Sequence, residues 1–425
     1  MQTASLLMLL LDRTFGNLFR MLRNIRLPKE ERGPLSWNFV GALALVMIYG
    51  LIMLFSASYT SGYNNYSGDI YHFIRPQAFF AVAGFAAALL FISNINYRAL
   101  HYFTETLYIV TLMLLVIVLL MPTDVEGFHR WIDLGFTSFQ PSEIAKFSVI
   151  LWVADYASTH YDQRGTLLHG LLGTVGPVIP IMVLLLLEPH KSATLLICLI
   201  VGTMLVCGGC GLRWLPLAVP AAIAAGWYYL SNLQDYAQTR LGGVWGLTPT
   251  DTDNMLYQTK QGLYAISSGG LFGLGIGNSR QKHQWLPYAE NDFIFSVVCE
   301  ELGFIGALLL IGLFLFLIVQ GIFISLRAPD YFGAMLGIGI TAQVAWQMFC
   351  HIGVNTALLP NTGISLPFFS SGGTSLLMLL AEMGLLMSIS RAGNARTVAH
   401  QKRQQVELAR RMERGGRQVY RRDLS

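Results

Sequence analysis

The chain has 425 residues, of which 54% are hydrophobic and only 12% charged, with a formal net charge of +4. A soluble globular chain carries about 25% charged residues, so this composition excludes a string of soluble domains. Apolar runs recur at the length, about 20 residues, that crosses a hydrocarbon core about 30 Å thick. In lipid the backbone must satisfy its own hydrogen bonds, so each run reads as a helix. The expected fold is an all-α polytopic membrane protein of about ten transmembrane helices.

In chain order, residues 1–36 form an amphipathic, basic N-terminal segment. Leu6 to Leu11 is apolar, but no positive stretch precedes it and no cleavage-like site follows, so it does not read as a signal peptide. With Phe15, Leu18, Phe19 and Leu22 it suits a helix lying on the cytoplasmic membrane surface. Spans are expected near 37–58, 74–93, 103–122, 141–158, 170–187, 191–208, 214–230, 296–326, 331–353 and 368–390. The two spans around Glu188 and Pro189 also read as one broken hairpin. The 296–326 run exceeds one span, so its first turns are expected at the outer surface, with Gly303 and Gly306 as bending points. One large extracytoplasmic loop, about 231–295, precedes the eighth span, and 392–425 is a basic tail.

Orientation follows from Lys and Arg in short loops. Arg13, Arg20, Arg23, Arg26, Lys29 and Arg32 precede the first span, and ten spans place Arg98, Arg164, Arg213 and Arg327 on that side. The basic tail joins them, so both termini are expected in the cytoplasm, with residues 37–391 as the transmembrane domain. Cys207-Gly-Gly-Cys210 has redox or metal spacing, but no second Cys or His pair accompanies it, and small residues at a helix end account for it. Gly273-Leu-Gly-Ile-Gly277 lacks a preceding strand and does not read as a dinucleotide fingerprint.

Ionisable and polar groups at membrane depth mark sites by default, and four clusters qualify. The first is Gly127-Phe-His-Arg-Trp-Ile-Asp-Leu-Gly-Phe136 with Gln140-Pro-Ser-Glu-Ile-Ala-Lys146. Pro141 and Ser142 suit a helix start, and Glu143 and Lys146 share a face just below the outer surface. They read as a local ion pair or a ligand contact; Arg130 and Trp131 read as an interface anchor or as holders of a phosphate and a sugar or isoprenoid face. The second is Glu188-Pro-His-Lys-Ser192, a hairpin tip that snorkelling alone explains equally well. The third is the outer segment through Trp285-Leu-Pro-Tyr-Ala-Glu-Asn-Asp-Phe-Ile-Phe295. Asn291 or Asp292 suits a helix cap, while Arg240, Lys260, Arg280 and Lys282 supply cations for an anionic lipid headgroup. The fourth runs from Asn355 to Gly363 and through Leu366-Pro-Phe-Phe-Ser-Ser-Gly-Gly-Thr-Ser375, where broken backbone must line a cavity or pack in protein. Glu382, mid-span, needs a partner and reads as half of a buried structural pair.

These motifs resemble the SEDS family (shape, elongation, division and sporulation) of FtsW, RodA and SpoVE. The match runs from Phe55-Ser-Ala-Ser58 to Gly372-Gly-Thr-Ser375. Its strongest pieces are Arg130-Trp-Ile132, Gln140 to Lys146, Ser268 to Gly277, Leu286-Pro287, Asp292-Phe-Ile-Phe295, Glu300-Glu-Leu-Gly303, Pro360-Asn-Thr-Gly363 and Leu366-Pro367. The resemblance leans to the division type. It implies a ten-helix peptidoglycan glycosyltransferase of the bacterial cytoplasmic membrane that polymerises lipid II outside it. It also implies a class B penicillin-binding protein as partner. The family's essential aspartate falls on Asp292, and its outer-loop arginine and tryptophan on Arg130 and Trp131. The chain departs from the common pattern at Glu188-Pro-His-Lys-Ser-Ala193, at Leu286-Pro-Tyr-Ala-Glu-Asn291, at His129 and at Ser371. The role of the family's hairpin-tip aspartate therefore does not transfer.

The implied chemistry needs a base for a sugar hydroxyl and cations for a departing pyrophosphate. Asp292 is the expected base. Arg130, Lys146, Lys260 and Lys282 are phosphate candidates, and Trp131, Glu143, Ser370 and Thr374 complete the expected substrate site. A divalent cation, Mg or Mn, is a candidate cofactor, and no organic cofactor is expected. Lipid II, polyprenyl pyrophosphate and membrane lipid are expected partners; nucleic acid is not. Two other classes fit the same residues: a lipid II flippase and a non-catalytic scaffold. Against the flippase, the polar clusters gather at the outer face and no inverted repeat is apparent.

Overall fold

The structure is a computed structural model that describes residues 25–121, 132–133, 138–188, 191–214, 216, 254–361 and 363–422. The surface helix expected around Leu6–Leu22, the span expected at 214–230, and Arg130, Trp131, His190 and Arg240 lie outside the described residues.

Ten α-helices carry the description: α1 (Trp37–Asn65), α2 (Ile74–Leu90), α3 (Thr104–Leu120), α4 (Pro141–Thr159), α5 (Val178–Leu187), α6 (Lys191–Gly208), α7 (Asn254–Gly269), α8 (Ile294–Leu326), α9 (Tyr331–Asn355) and α10 (Gly373–Arg422). Wide-turn helix at Leu167–Leu172 leads into α5. The only strands among the described residues are Ile132–Asp133 and Ser138–Phe139, an antiparallel pair between α3 and α4.

Hydropathy explains most of these elements. Seven helical stretches are long and apolar enough to cross a membrane. Of the remaining expected spans, α3 is apolar but shorter, and α4 has the length but carries Glu143, Lys146 and Asp155. Nine of the ten expected spans thus meet a helix. The tenth helix, α7, is amphipathic and arises inside the expected outer loop. The last span begins later than expected: residues 364–372 are irregular, and α10 starts at Gly373 and continues as helix through the basic tail.

The bundle is layered around α9, whose membrane window is 72% buried against 28% for α2. It packs on α8, α6 and α4, while α10 packs on α2. At one end of the bundle, the inner end in the orientation expected from the sequence, the segment after Ile25 pairs with residues 94–96, and Gly33 bonds to Arg391. There Asp330 caps α9 and also binds Arg98 and Tyr97, while Arg98 reaches Glu31. Burial and the neighbouring Asp330 push the Tyr97 phenol upward, so it stays a donor. Arg98 and Arg391, two of the basic residues expected on one side, thus lie with the segment before α1 at the same end.

At the outer end α8 breaks. Gly303 has φ +67° and ψ −164°, a region open to glycine alone. A break orphans backbone groups on both sides. Residues 270–275 supply the partners: the Leu274 and Gly275 amides donate to the Glu300 and Glu301 carbonyls, and Gly270 and Leu271 accept from Phe304 and Ile305. The two backbones cross so closely that an added Cβ at Gly273 would lie 2.2 Å from the Glu301 carbonyl oxygen.

Candidate functional site

Asp292 lies at the outer end, immediately before α8, and its backbone is held from the far side of the chain. Three successive carbonyls are each gripped by a different donor. The Ser371 amide binds Glu290, the Ser370 hydroxyl binds Asn291 at 2.7 Å, and the Asn355 amide binds Asp292 at 2.9 Å. A neighbouring Gln77 on α2 fixes the gripping loop through the Ser370 carbonyl and the Gly372 amide. On the carboxylate's own side stands Gly363, with φ +64°; a Cβ there would begin 3.4 Å from Asp292 Oδ2. Glu290, one turn earlier, is buried and accepts from Ser61 of α1.

α7 closes the site from another direction. Its Gly262 sits against Phe293 and Ser296, and its Gln258 accepts from Asn361. Lys260, on the same helix, is exposed and lies two residues from each of these contacts.

Two further charged clusters stand apart. Glu300 and Glu301 are fully buried. Glu300 accepts from the Ser268 and Ser279 hydroxyls and the Arg280 and Gln281 amides. Glu301 binds Lys282 at 2.7 Å and Ser56 at 2.6 Å. Deeper, Lys146 pairs with Glu143 at 2.9 Å, Gln343 donates to Glu382, and Glu382 feels the charges of both Lys146 and Glu143. Glu382 lies about 13 Å below the start of α10 by helix rise. Outside these clusters, a groove of about 530 Å³ opens between α1 and α2, walled by Ile52, Phe55, Tyr59, Ile74 and Ala78, with Ser56 and Lys282 at its polar side.

Residues 36–395 match the family model of the cell cycle proteins FtsW, RodA and SpoVE. The chain belongs to the FtsW/RodA/SpoVE family. It is 34% identical over 358 residues to the stage V sporulation protein E of Bacillus subtilis, covering 82% of this chain and 94% of that protein. It is also 34% identical to the probable peptidoglycan glycosyltransferase FtsW of Coxiella burnetii, covering 85% of this chain and 98% of that protein. Among solved structures, the Thermus thermophilus rod shape determining protein RodA aligns with TM-score 0.59 and 26% identity, over 84% of this chain and 97% of that one. A chain of a peptidoglycan synthase complex aligns with TM-score 0.69 and 24% identity, over 85% and 98% of the two chains.

Measured against this family fold, the expected site residues divide. Asp292 and Ser370 meet at one mouth; Lys260 lies on α7, which packs beside it, and Thr374 begins α10 just beyond. Ser370 has a different task from the expected ligand contact, because its hydroxyl is spent on the Asn291 carbonyl and the Leu366 amide. Lys282 likewise serves as the buried counter-ion of Glu301, and an ammonium so committed is not free for a phosphate. Glu143 and Lys146 form the local pair, buried away from the mouth. Glu188 is turned inward, 1% exposed, so it does not itself reach for the surface. Cys207 and Cys210 are free thiols at a helix end. Sequence reasoning missed Gln77, His351 and any role for Asn355. The available signal for the last two was a four-residue spacing of polar residues along the apolar α9.

Proposed function

We propose that this chain is a peptidoglycan glycosyltransferase that polymerises lipid II at the outer face of the bacterial cytoplasmic membrane. It would serve division or cell shape, with both termini cytoplasmic and a class B penicillin-binding protein as partner. The observation that carries the reading is a single carboxylate, Asp292, held rigidly through three successive carbonyls at the outer mouth of the bundle. The names of the relatives support the reaction class, and the synthase complex among the structural neighbours supports a partnered assembly.

In this reading the C4 hydroxyl of one lipid-linked sugar attacks C1 of another. Asp292 accepts the hydroxyl proton as the O–C1 bond forms and the C1–O bond to polyprenyl pyrophosphate breaks, with inversion and no covalent enzyme intermediate. Lys260 offers charge to the departing pyrophosphate; Arg130 and Trp131 keep that expectation from the family motif. The groove between α1 and α2 is sized and lined for part of a polyprenyl chain. Among the described residues no three His, Cys, Asp or Glu side chains gather as metal ligands. No step is routed through a divalent cation.

The test compares wild type with Asp292→Asn, each purified with the penicillin-binding partner and supplied with lipid II. Wild-type glycan polymer and none from the folded variant is the expected result. Equal polymer from both removes Asp292 as base. No polymer from either, where a known polymerase works, favours transport or scaffolding.

A further inference from the structure

Gln343, Gln347, His351 and Asn355 recur at four-residue steps on α9. Such residues share one face and climb about 6 Å per step. All four are buried. The stripe starts at Glu382, which takes the Gln343 amide, and ends at the Asp292 carbonyl, which takes the Asn355 amide.

Asn355 uses everything an amide has. Its Oδ1 accepts from the Ser296 amide and hydroxyl, and its Nδ2 donates to the Asp292 and His351 carbonyls. An asparagine has two donor hydrogens and two acceptor lone pairs, so its orientation is fixed. One turn earlier, His351 Nδ1 lies 2.7 Å from the Ile364 carbonyl. A carbonyl only accepts, so Nδ1 carries the hydrogen and the neutral ring leaves Nε2 bare. Ile364 follows Gly363, the residue whose backbone lies against the Asp292 carboxylate.

We propose that His351 is a positioning residue for Asp292. Through the Ile364 carbonyl it sets the backbone that flanks the carboxylate, while Asn355, one turn along, holds the peptide behind it. The two make a clamp from a single rigid helix. A residue on a helix locked by its own hydrogen bonds positions more tightly than one on a loop. This rests on the reading of Asp292 as the base.

The donor atom can be tested by choice of amide. In His351→Asn the amide nitrogen falls where Nδ1 stood and can still serve Ile364. In His351→Gln it falls near Nε2 and cannot. His351→Leu removes both. Lipid II polymerisation by the full chain with its penicillin-binding partner gives kcat and KM for each. A displacement of about 1 Å costs about a hundredfold in rate. The expected result is therefore that Gln and Leu lower kcat between about tenfold and a hundredfold, Asn stays within about threefold of wild type, and KM for lipid II hardly moves. Wild-type kcat in the Gln and Leu variants overturns the proposal. So does an Asn variant as slow as Leu, or a change confined to KM. Should Leu not fold, the Asn–Gln contrast, matched in polarity, decides alone. Asp292→Asn runs alongside: if it retains activity, the base reading fails, whatever the His351 series does.

Discussion

Gly363 is where the site tolerates least. Its left-handed φ of +64° costs an alanine about 1 kcal/mol, and the new methyl would come into van der Waals contact with the Asp292 carboxylate. Gly363→Ala is expected to fold, with thermal stability barely lowered, and to lose about tenfold or more in kcat. Unchanged kcat with lowered stability would detach this loop from the chemistry. Asp292 itself was legible in the sequence, because Asp-Phe-Ile-Phe precedes a strongly apolar helix inside a long motif series. Its grips were not. Asn355 and Ser370 lie 63 and 79 residues from the carbonyls they bind, and a hydroxyl in a Ser-Ser-Gly-Gly run reads the same whether it faces ligand or backbone. Lys282 misled for a related reason: a cation near an outer mouth looks available until its buried partner, Glu301, is placed.

Among the elements, the first turns of α8 carry the least forgiving electrostatics. Glu301 and Lys282 are buried and paired, so removing one partner strands a charge, at about 3–5 kcal/mol. Glu301→Gln and Lys282→Met are each expected to lower the melting temperature strongly. The double variant is expected to recover much of the loss, since an uncharged pair owes no desolvation. Equal, additive losses in a double-mutant cycle would show that the pair is not coupled. The positions of the helices were legible because twenty-residue hydropathy has a direct physical cause. α7 was not, because an amphipathic helix packed by Gly262 against Phe293 is weakly apolar along its length. The expected start of the last span, at 368, is too early, because Phe368 and Phe369 are apolar enough to pass for span, although the proline and glycines from Leu366 to Ser375 already mark broken backbone.

Across the whole molecule, the crossing of residues 270–275 with the break in α8 joins the outer segment to the membrane-spanning rod. Gly273 has no room for a Cβ, whereas Gly270, also at positive φ, faces open space. Gly273→Ala is therefore expected to cost more than about 4 kcal/mol, the range reserved for a named structural failure. Gly270→Ala should cost about 1 kcal/mol of backbone strain alone. Monodisperse yield and melting temperature in detergent read the difference, and equal losses would mean that strain rather than crowding sets the cost. Gly303 reads as a bend in the sequence, with no sign of what fills it, since the filling segment lies about thirty residues away and is read first as a glycine string. That order along the chain has a consequence for biogenesis. Residues 270–275 leave the ribosome before Gly303 does, so in the proposed orientation the segment that satisfies the broken helix is already outside when α8 reaches the insertion machinery. The helix need never enter lipid with bare peptide groups. A circular permutant that delivers α8 first would expose them, and should be retained by quality control rather than inserted.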